Sequence, residues 1–232
     1  MKRFYKKAEV SPRDGGYAVL LDGKPINTPA GRRLMTQAAA LAAAVAAEWL
    51  AQGEEILPQT MPLTRLAGTA IDKVSIARDA VVDEMVRYAG TDLLCYRAES
   101  PRELAARQAA MWQPVLDWAE DEFGAELRVT RGMMPVEQPP LSLHALRRAI
   151  AELDDLRLTA LADLVPALGS LVLGLAVACG WMDAESAFDA SQLDELWEEE
   201  QWGEDSEATK RRENLRADVL AGGRLLLLCD GD

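Results

Sequence analysis

The amino-acid sequence predicts an α+β protein in which a small β-rich N-terminal domain is followed by a larger, mostly helical C-terminal domain. Up to Gly31, short apolar runs are separated by glycine and proline turns, which is typical of strands. From Thr36 onward, apolar residues recur mostly at helical spacing. The 232 residues, of which 49% are hydrophobic, suffice for a sizeable core. We therefore expect domains at residues 1–75 and 76–232.

The N-terminal region is expected to contain short antiparallel strands. Two of them are predicted over Tyr17–Leu21 and Lys24–Ile26. The intervening sequences Asp14–Gly16 and Asp22–Gly23 are turn signals, because glycine tolerates the positive φ of tight turns. Pro25 has no amide donor, so its strand should lie at an edge of the sheet.

Two helices are predicted after this region. Thr36 is expected to cap an alanine-rich helix, near whose end Trp49 is a packing anchor. A second helix is predicted over residues 61–72. Arg65 and Asp72 are seven residues apart in it, so we expect them to share a face and to pair with other groups of the protein.

Two further strands are expected within the C-terminal domain. Residues 93–97 and 126–130 are short and largely apolar, and a long amphipathic helix is predicted between them. These strands could pair back to the N-terminal sheet, which leaves the domain boundary open.

The segment 164–182 has no charged residue, so by length it is a candidate membrane span. Asp163 and Asp183 flank it, however, and no lysine or arginine stands at either end to set an orientation. Gly169 and Gly174 would allow close helix contacts. We favour a central core helix.

The most acidic stretch, residues 191–214, has Trp197 and Trp202 inside its densest run of carboxylates. Leu193, Leu196 and Trp197 form an apolar stripe at helical spacing, which predicts an amphipathic helix with a solvated polar face. Aromatic residues rimmed by charge are also typical of docking surfaces. No known catalytic spacing explains the run, and both interpretations remain open from the sequence alone.

The net charge of −13 limits the classes of partner. Binding to nucleic acid needs clustered basic residues, and an anionic membrane surface would repel so acidic a chain. A basic protein partner remains possible. The three cysteines form no CxxC pair, so a zinc ribbon or a thioredoxin-like site is unsupported.

Catalytic signatures are sparse. The single histidine, His144, lies in an apolar helical pattern and is interpreted as a structural or surface residue. Phosphate-binding glycine loops and the nucleophile elbow are missing from the sequence, and one histidine cannot build a histidine-rich site, so we expect no metal and no enzyme activity. A carboxylate pair is the remaining route to hydrolysis, with Asp72 and Asp194/Glu195 as the first candidates. The chain has 38 carboxylates, so an accidental pair has little weight.

Short stretches spread along essentially the whole chain match one family in order and spacing. They are Arg3–Lys6, Tyr17–Pro29, Glu48–Trp49, Thr60–Leu66, Thr69–Asp72, Asp92–Tyr96, Trp112–Trp118, Gly169–Leu175 and Trp202–Asp205. In these stretches the chain resembles the assembly chaperones of the ATP synthase F(1) sector, the ATP-twelve family, whose members attend the α subunit.

The resemblance implies a two-part fold without catalysis or cofactor. It also implies a chaperone that holds newly made α subunit, covers the surface that the β subunit later covers, and leaves when β arrives. The chain starts directly at Arg3–Tyr5, without the targeting extension of mitochondrial members. We therefore expect a bacterial cytoplasmic protein, monomeric when free.

Two groups of residues are candidates for the contact with the α subunit. The first is the acidic C-terminal face, which comprises Asp194, Glu195, Trp202 and Glu204. The second lies in the middle segment and comprises Trp49, Arg65 and Asp72. Two alternatives stay open: a constitutive scaffold, which would form a permanent complex, and a carboxylate-dependent hydrolase, which would need a pocket with two carboxylates.

Overall fold

The computed structural model describes residues 1–13, 15–132 and 134–229; Asp14, part of a predicted turn, lies outside them. The chain divides into two compact units. Unit 1 contains Met1–Arg78, Asp154–Ala160 and the described residues from Arg224 onward, and unit 2 contains Asp79–Leu153 and Leu161–Gly223. The domain boundary expected at residue 75 stays a prediction, because compactness does not test whether a segment folds independently.

The predicted α+β class is confirmed, with the larger sheet near the N-terminus and helices dominating the rest. The strands are β1 (Ala8–Arg13), β2 (Gly16–Leu21), β3 (Lys24–Pro25), β4 (Met35–Thr36), β5 (Tyr96–Arg97) and β6 (Thr130–Arg131). The helices are α1 (Ala39–Leu50), α2 (Pro62–Thr69), α3 (Arg78–Ala89), α4 (Arg102–Phe123), α5 (Pro140–Glu152), α6 (Asp155–Leu168), α7 (Leu171–Ala178), α8 (Ala184–Ser191), α9 (Leu193–Trp202) and α10 (Ser206–Cys229).

Strand β2 is the centre of the N-terminal sheet. It pairs antiparallel with β1, from Ala8 opposite Leu21 to Arg13 opposite Gly16, and also with β3 and β4. The stretch Ala18–Leu21 of β2 is buried, and α1 packs on β1 and β2. Pro25 occupies a two-residue strand at the edge, where its missing amide donor is tolerated.

Helix α1 begins at Ala39, so the predicted capping role of Thr36 is wrong. Thr36 belongs to β4, where it pairs with Tyr17 of β2. Its Oγ1 accepts a hydrogen bond from the Ala38 amide at 3.2 Å, and Ala38 occupies the N-cap position without a side-chain cap. The pairing in the sheet thus holds Thr36 extended, ahead of the helix start.

The helix expected over residues 61–72 is confirmed from Pro62 onward, but it is not regular throughout. Helix α2 ends at Thr69, and residues Ala70–Val74 continue it as a π-helix. A π-helical turn is wider than an α-helical turn, so the seven-residue spacing of Arg65 and Asp72 does not correspond to two regular turns.

The strand expected over residues 93–97 is largely replaced by a 3-10 helix. Leu93–Cys95 form this helix because Asp92 caps it, accepting a hydrogen bond from the Leu94 amide at 3.1 Å. Strand β5 follows it, and the strand expected over 126–130 is reduced to β6. Strands β5 and β6 pair with each other in parallel, in a separate two-stranded sheet instead of the N-terminal one.

The uncharged segment 164–182 is divided between two helices, which corrects the expected single core helix. Gly169 has a φ of +64° and ends α6, and the Ser170 hydroxyl caps α7 by accepting from the Leu173 amide at 3.0 Å. Helix α7 is buried almost all round. A Cβ on Gly174 would lie 2.8 Å from Val165 Cγ2, so this glycine does permit close helix packing.

None of the helices within the described residues combines the length and the apolar composition that crossing a membrane requires.

Candidate functional site

The three candidate residues of the middle segment, Trp49, Arg65 and Asp72, line one cavity of unit 1. Its volume is about 580 Å³, and its other walls come mainly from the N-terminal residue, the loop after β3, the segment before α2, and α2 itself. The apolar lining residues include Ile26, Leu34, Ile56, Pro58 and Met61. Such a lining suits an apolar side chain or a short apolar segment.

Trp49 packs as the sequence predicts and carries an unsatisfied donor. Its ring meets the Tyr5 ring edge-on at a centroid distance of 5.6 Å, and the Tyr5 hydroxyl donates to the Trp49 carbonyl oxygen at 2.6 Å. The indole Nε1 is buried and has no acceptor among the described residues. A buried donor without a partner is unfavourable, so a ligand carbonyl that reached it would bind more tightly.

Asp72 has a structural role at the wall of this cavity. Its carboxylate accepts hydrogen bonds from the Thr28 hydroxyl at 2.7 Å and from the Ala30 amide at 3.0 Å. Asp72 therefore ties the loop after β3 to the π-helix, which matches the expected internal pairing. Arg65 is exposed at the same cavity.

Asp194, at the start of α9, is half-buried and held from within unit 2. Its Oδ1 accepts a hydrogen bond from Gln108 Nε2 at 2.8 Å. Burial raises the pKa of the Asp194 carboxyl, while the Gln108 hydrogen bond and the nearby Arg97 charge partly oppose this rise. The side chain that we expected to face a partner thus anchors α9 to α4.

Arg97 completes this anchor, although it was not among the residues predicted from the sequence. It is 7% exposed, its Nη1 donates to the Gln108 carbonyl oxygen at 2.5 Å, and its guanidinium lies 5.1 Å from the centre of the Trp112 ring. Trp112 in turn donates from Nε1 to the Ala190 carbonyl oxygen at 2.8 Å. The sequence feature that could have identified Arg97 is the presence of a charged residue at the end of the otherwise apolar run 93–97.

The carboxylates of α9 are largely paired with arginines of α4 and α10. The ion pairs are Glu195–Arg211 at 3.0 Å, Glu199–Arg212 at 2.7 Å and Glu200–Arg107 at 2.8 Å. Arg107 also lies 4.5 Å from the centre of the Trp197 ring. Much of the negative charge of α9 is therefore neutralised within the protein, and Glu195 is the member of the predicted acidic face that is ion-paired.

The end of α9 differs from its beginning, because here the side chains face solvent. Trp202 is 87% exposed, and its indole forms no hydrogen bond or ring contact with a described residue. Gly203 follows with a φ of +93°, and Glu204 accepts a hydrogen bond from the Thr209 hydroxyl at 3.0 Å. The predicted apolar stripe of α9 is only partly correct, since Leu193 is buried but Leu196 is exposed.

The candidates for carboxylate catalysis are not assembled into one site of either unit. Asp72 belongs to unit 1 and serves its loop, whereas Asp194 and Glu195 belong to unit 2 and bind Gln108 and Arg211. Within the described residues, no group of three His, Cys, Asp or Glu side chains is arranged to hold a metal ion.

Several stretches that carry the family resemblance contact one another. Glu48 accepts hydrogen bonds from the amides of Leu63 and Thr64, both at 2.8 Å. Asp92 accepts from the Val172 amide at 3.1 Å, and Thr28 meets Asp72 as described above. These residues thus have structural partners.

Three comparisons relate this chain to known proteins. The sequence profile of the ATP12 chaperone protein family matches residues 2–120. A mitochondrial atp12 protein of Schizosaccharomyces pombe is 23% identical over 248 residues, which cover 100% of this chain and 84% of that protein.

Crystal structures give closer matches. Atp12 from Paracoccus denitrificans is 45% identical, with a TM-score of 0.94 over 98% of each chain. A protein of Agrobacterium tumefaciens is 41% identical, with a TM-score of 0.93 over 97% of this chain and 85% of that one.

Proposed function

Because this chain belongs to the family of ATP12 chaperone proteins, we propose that it is a chaperone for the assembly of the F(1) sector of ATP synthase. Its client is the unassembled α subunit. By covering the β-facing surface of that subunit, it prevents aggregation until the β subunit displaces it. An unassembled subunit exposes apolar interface that aggregates readily, which gives such a binder its purpose.

The observation that carries the proposal is the exposure of Trp202. Glu48, Asp72 and Asp92, which belong to the stretches that resemble the family, have structural partners, but the Trp202 indole has none among the described residues. A tryptophan exposed in this way is costly for a free protein and typical of a binding anchor. We assign Trp202 and Glu204 to the contact with the α subunit.

The other two residues of the acidic face have supporting roles. Asp194 fixes the start of α9 through Gln108, and Glu195 fixes it to α10 through Arg211. A contact of one aromatic anchor with a few charges is small, so the chaperone can be displaced by a larger subunit interface.

The cavity of unit 1 is the second contact that we propose. Trp49, Arg65 and Asp72 line it, and the unpaired Trp49 Nε1 together with the apolar walls suits an apolar segment of the client. We further propose that the protein acts as a monomer in the bacterial cytoplasm. The bacterial origin of the Paracoccus relative and the acidic charge of −13 support this.

The test is light scattering of F(1) α subunit diluted from denaturant, with wild-type protein and with the variants Trp202→Ala and Glu204→Lys. Leu141→Ala is the matched control, because Leu141 is also a large apolar side chain of unit 2 and is 83% exposed. We expect wild type and control to suppress aggregation of α, and the two variants to lose most of this activity while remaining folded by circular dichroism.

Three outcomes would overturn parts of the proposal. If the protein suppresses the aggregation of β subunit, or of an unrelated protein, as strongly as that of α subunit, it is a general holdase. Full activity of Trp202→Ala and Glu204→Lys would remove the end of α9 from the contact. A complex with α that persists when β is added would indicate a constitutive scaffold.

A further inference from the structure

Trp181 is held at the surface of unit 2 by the turn that ends α7. Gly180 has a φ of +69°, its amide donates to the Val177 carbonyl oxygen at 3.0 Å, and the Trp181 amide donates to the Ala176 carbonyl oxygen at 2.9 Å. This pair of hydrogen bonds is a Schellman motif. The backbone of Trp181 is therefore fixed before any partner arrives.

The Trp181 ring stacks on Trp118 of α4 and still faces solvent. The two ring centres are 5.2 Å apart with an interplanar angle of 21°, and Phe123 meets Trp118 edge-on at 5.3 Å. Trp181 nevertheless remains 43% exposed. We call Trp118, Phe123 and Trp181 the aromatic patch; it presents one rigid indole face to solvent.

Carboxylates without partners stand on the same end of α4. Glu120, Asp121 and Glu122 are exposed, and none of them forms an ion pair or a side-chain hydrogen bond with a described residue. They occupy the last turn of α4, which carries no basic residue. The C-terminal end of a helix has a partial negative charge, so these carboxylates are unfavourable there.

The carboxylates Glu195, Glu199 and Glu200 are balanced by arginines, whereas those of the last turn of α4, which also carries Phe123 of the aromatic patch, are left unbalanced. A local arrangement that lowers stability without structural benefit is expected at functional sites.

We propose that the aromatic patch and Glu120–Glu122 form a docking surface for an arginine-bearing, cationic segment of the client polypeptide. A guanidinium stacks on the exposed face of Trp181, and the carboxylates of the last turn of α4 supply the counter-charge. Arginine fits better than lysine, because its planar guanidinium stacks on aromatic rings and binds carboxylates in a forked geometry.

That the segment belongs to the client rests on the proposed chaperone function. That the segment is cationic and carries arginine is inferred from the aromatic patch and the carboxylates of α4. Fixed rings lose little conformational freedom on binding, so even a short segment is bound. The charges also make this contact sensitive to salt.

The direct test is a titration of the full chain, labelled with nitrogen-15 at its six tryptophans, with a blocked peptide of arginines separated by glycines. A peptide with glutamate in place of arginine is the control. We expect the indole signals of Trp118 and Trp181, assigned with Trp118→Phe and Trp181→Phe, to shift with the arginine peptide and to return at high salt. The proposal would be overturned if only the indole signals of other tryptophans shifted, or if no indole signal shifted.

A variant that does not disturb packing gives a second readout. The triple change Glu120→Gln, Asp121→Asn and Glu122→Gln should weaken peptide binding about tenfold, because it removes the counter-charge. Its Tm should stay equal or rise, since neutral side chains suit a helix C-terminus better. The matched control neutralises Glu9, Glu54 and Glu55, exposed carboxylates of unit 1, and should leave binding unchanged.

The same variants in the aggregation assay separate this proposal from the proposed function. If wild type protects α subunit and the triple variant protects equally well, the docking surface is not used for the client. If the arginine peptide binds at the patch but wild type protects no α subunit, the surface stands as a cationic-peptide site and the chaperone proposal fails.

Discussion

The Glu48 carboxylate caps the helix that begins before Thr64. It accepts hydrogen bonds from the Thr64 amide at 2.8 Å and from the Thr64 hydroxyl at 2.7 Å, and a further one from the Leu63 amide at 2.8 Å. A side chain of α1 thus satisfies the free amides at the start of α2, where a negative charge is also favoured by the helix dipole.

We predict that Glu48→Gln lowers the free energy of unfolding by about 1–2 kcal/mol, because glutamine removes the charge and leaves only one acceptor oxygen. Urea unfolding followed by circular dichroism measures this loss. Glu54→Gln, at an exposed position, is the control and should change stability by less than about 0.5 kcal/mol. Equal stabilities of the two variants would contradict the capping role.

A second prediction concerns pH. Asp92 is fully buried, and burial raises the pKa of its carboxyl to about 6, although hydrogen bonds from Ser170, Val172, Leu94 and Leu171 oppose the rise. The folded protein then holds this proton to higher pH than the unfolded chain does. The contribution of Asp92 to stability is therefore largest below pH 3.8 and is lost as pH rises to about 6.

The measurement is the difference in unfolding free energy between wild type and Asp92→Asn at pH 4.5 and pH 7.5. We expect this difference to fall by about 2 kcal/mol toward the higher pH, because most of the window between the two pKa values lies between these pH values. Asp189→Asn, at an exposed position of α8, controls for general effects of losing a carboxylate. A difference that is the same at both pH values would show that Asp92 does not titrate in this range.

The third prediction tests the close packing at Gly174. An added Cβ would lie 2.8 Å from Val165 Cγ2 and 3.0 Å from Leu161 Cδ1, both in buried side chains. Gly174→Ala should therefore destabilise the protein by about 1–3 kcal/mol through overpacking. At Gly53 nothing lies within 4 Å of an added Cβ, so Gly53→Ala should be neutral or slightly stabilising in the same thermal melt.

The fourth prediction ranks the ion pairs between α9 and α10. The side chains of Glu199 and Arg212 are 25% and 17% exposed, whereas those of Glu195 and Arg211 are 40% and 64% exposed. Double-mutant cycles to alanine should give a coupling of about 1 kcal/mol for the first pair and at most about 0.5 kcal/mol for the second. The reverse order would contradict the ranking by exposure.

The order of secondary structure could be read from the sequence, because its signals are local. Glycines and prolines mark the ends of β2 and β3, and Gly124 with a φ of +70° ends α4 as a glycine at a helix terminus should. The chaperone family could also be read from short stretches, since their order and spacing span the whole chain.

The deviations come from individual side-chain contacts, several of them between residues far apart in sequence. Asp92 bonds to Val172, 80 positions away, and the 3-10 helix at Leu93 follows from its cap. The pairing of Glu200 with Arg107, 93 positions away, likewise has no local signature. Sequence patterns therefore located the acidic run but could not tell which of its carboxylates are already paired.

The division of α6 and α10 between the two units affects how the protein matures during translation. Unit 1 includes Asp154–Ala160 and the described residues from Arg224 onward, and the ribosome makes the latter only after all of unit 2. The N-terminal sheet therefore emerges first, yet its unit is completed last. A nascent chain that has finished unit 2 still lacks part of unit 1, so a premature stop before residue 224 should leave an aggregation-prone product.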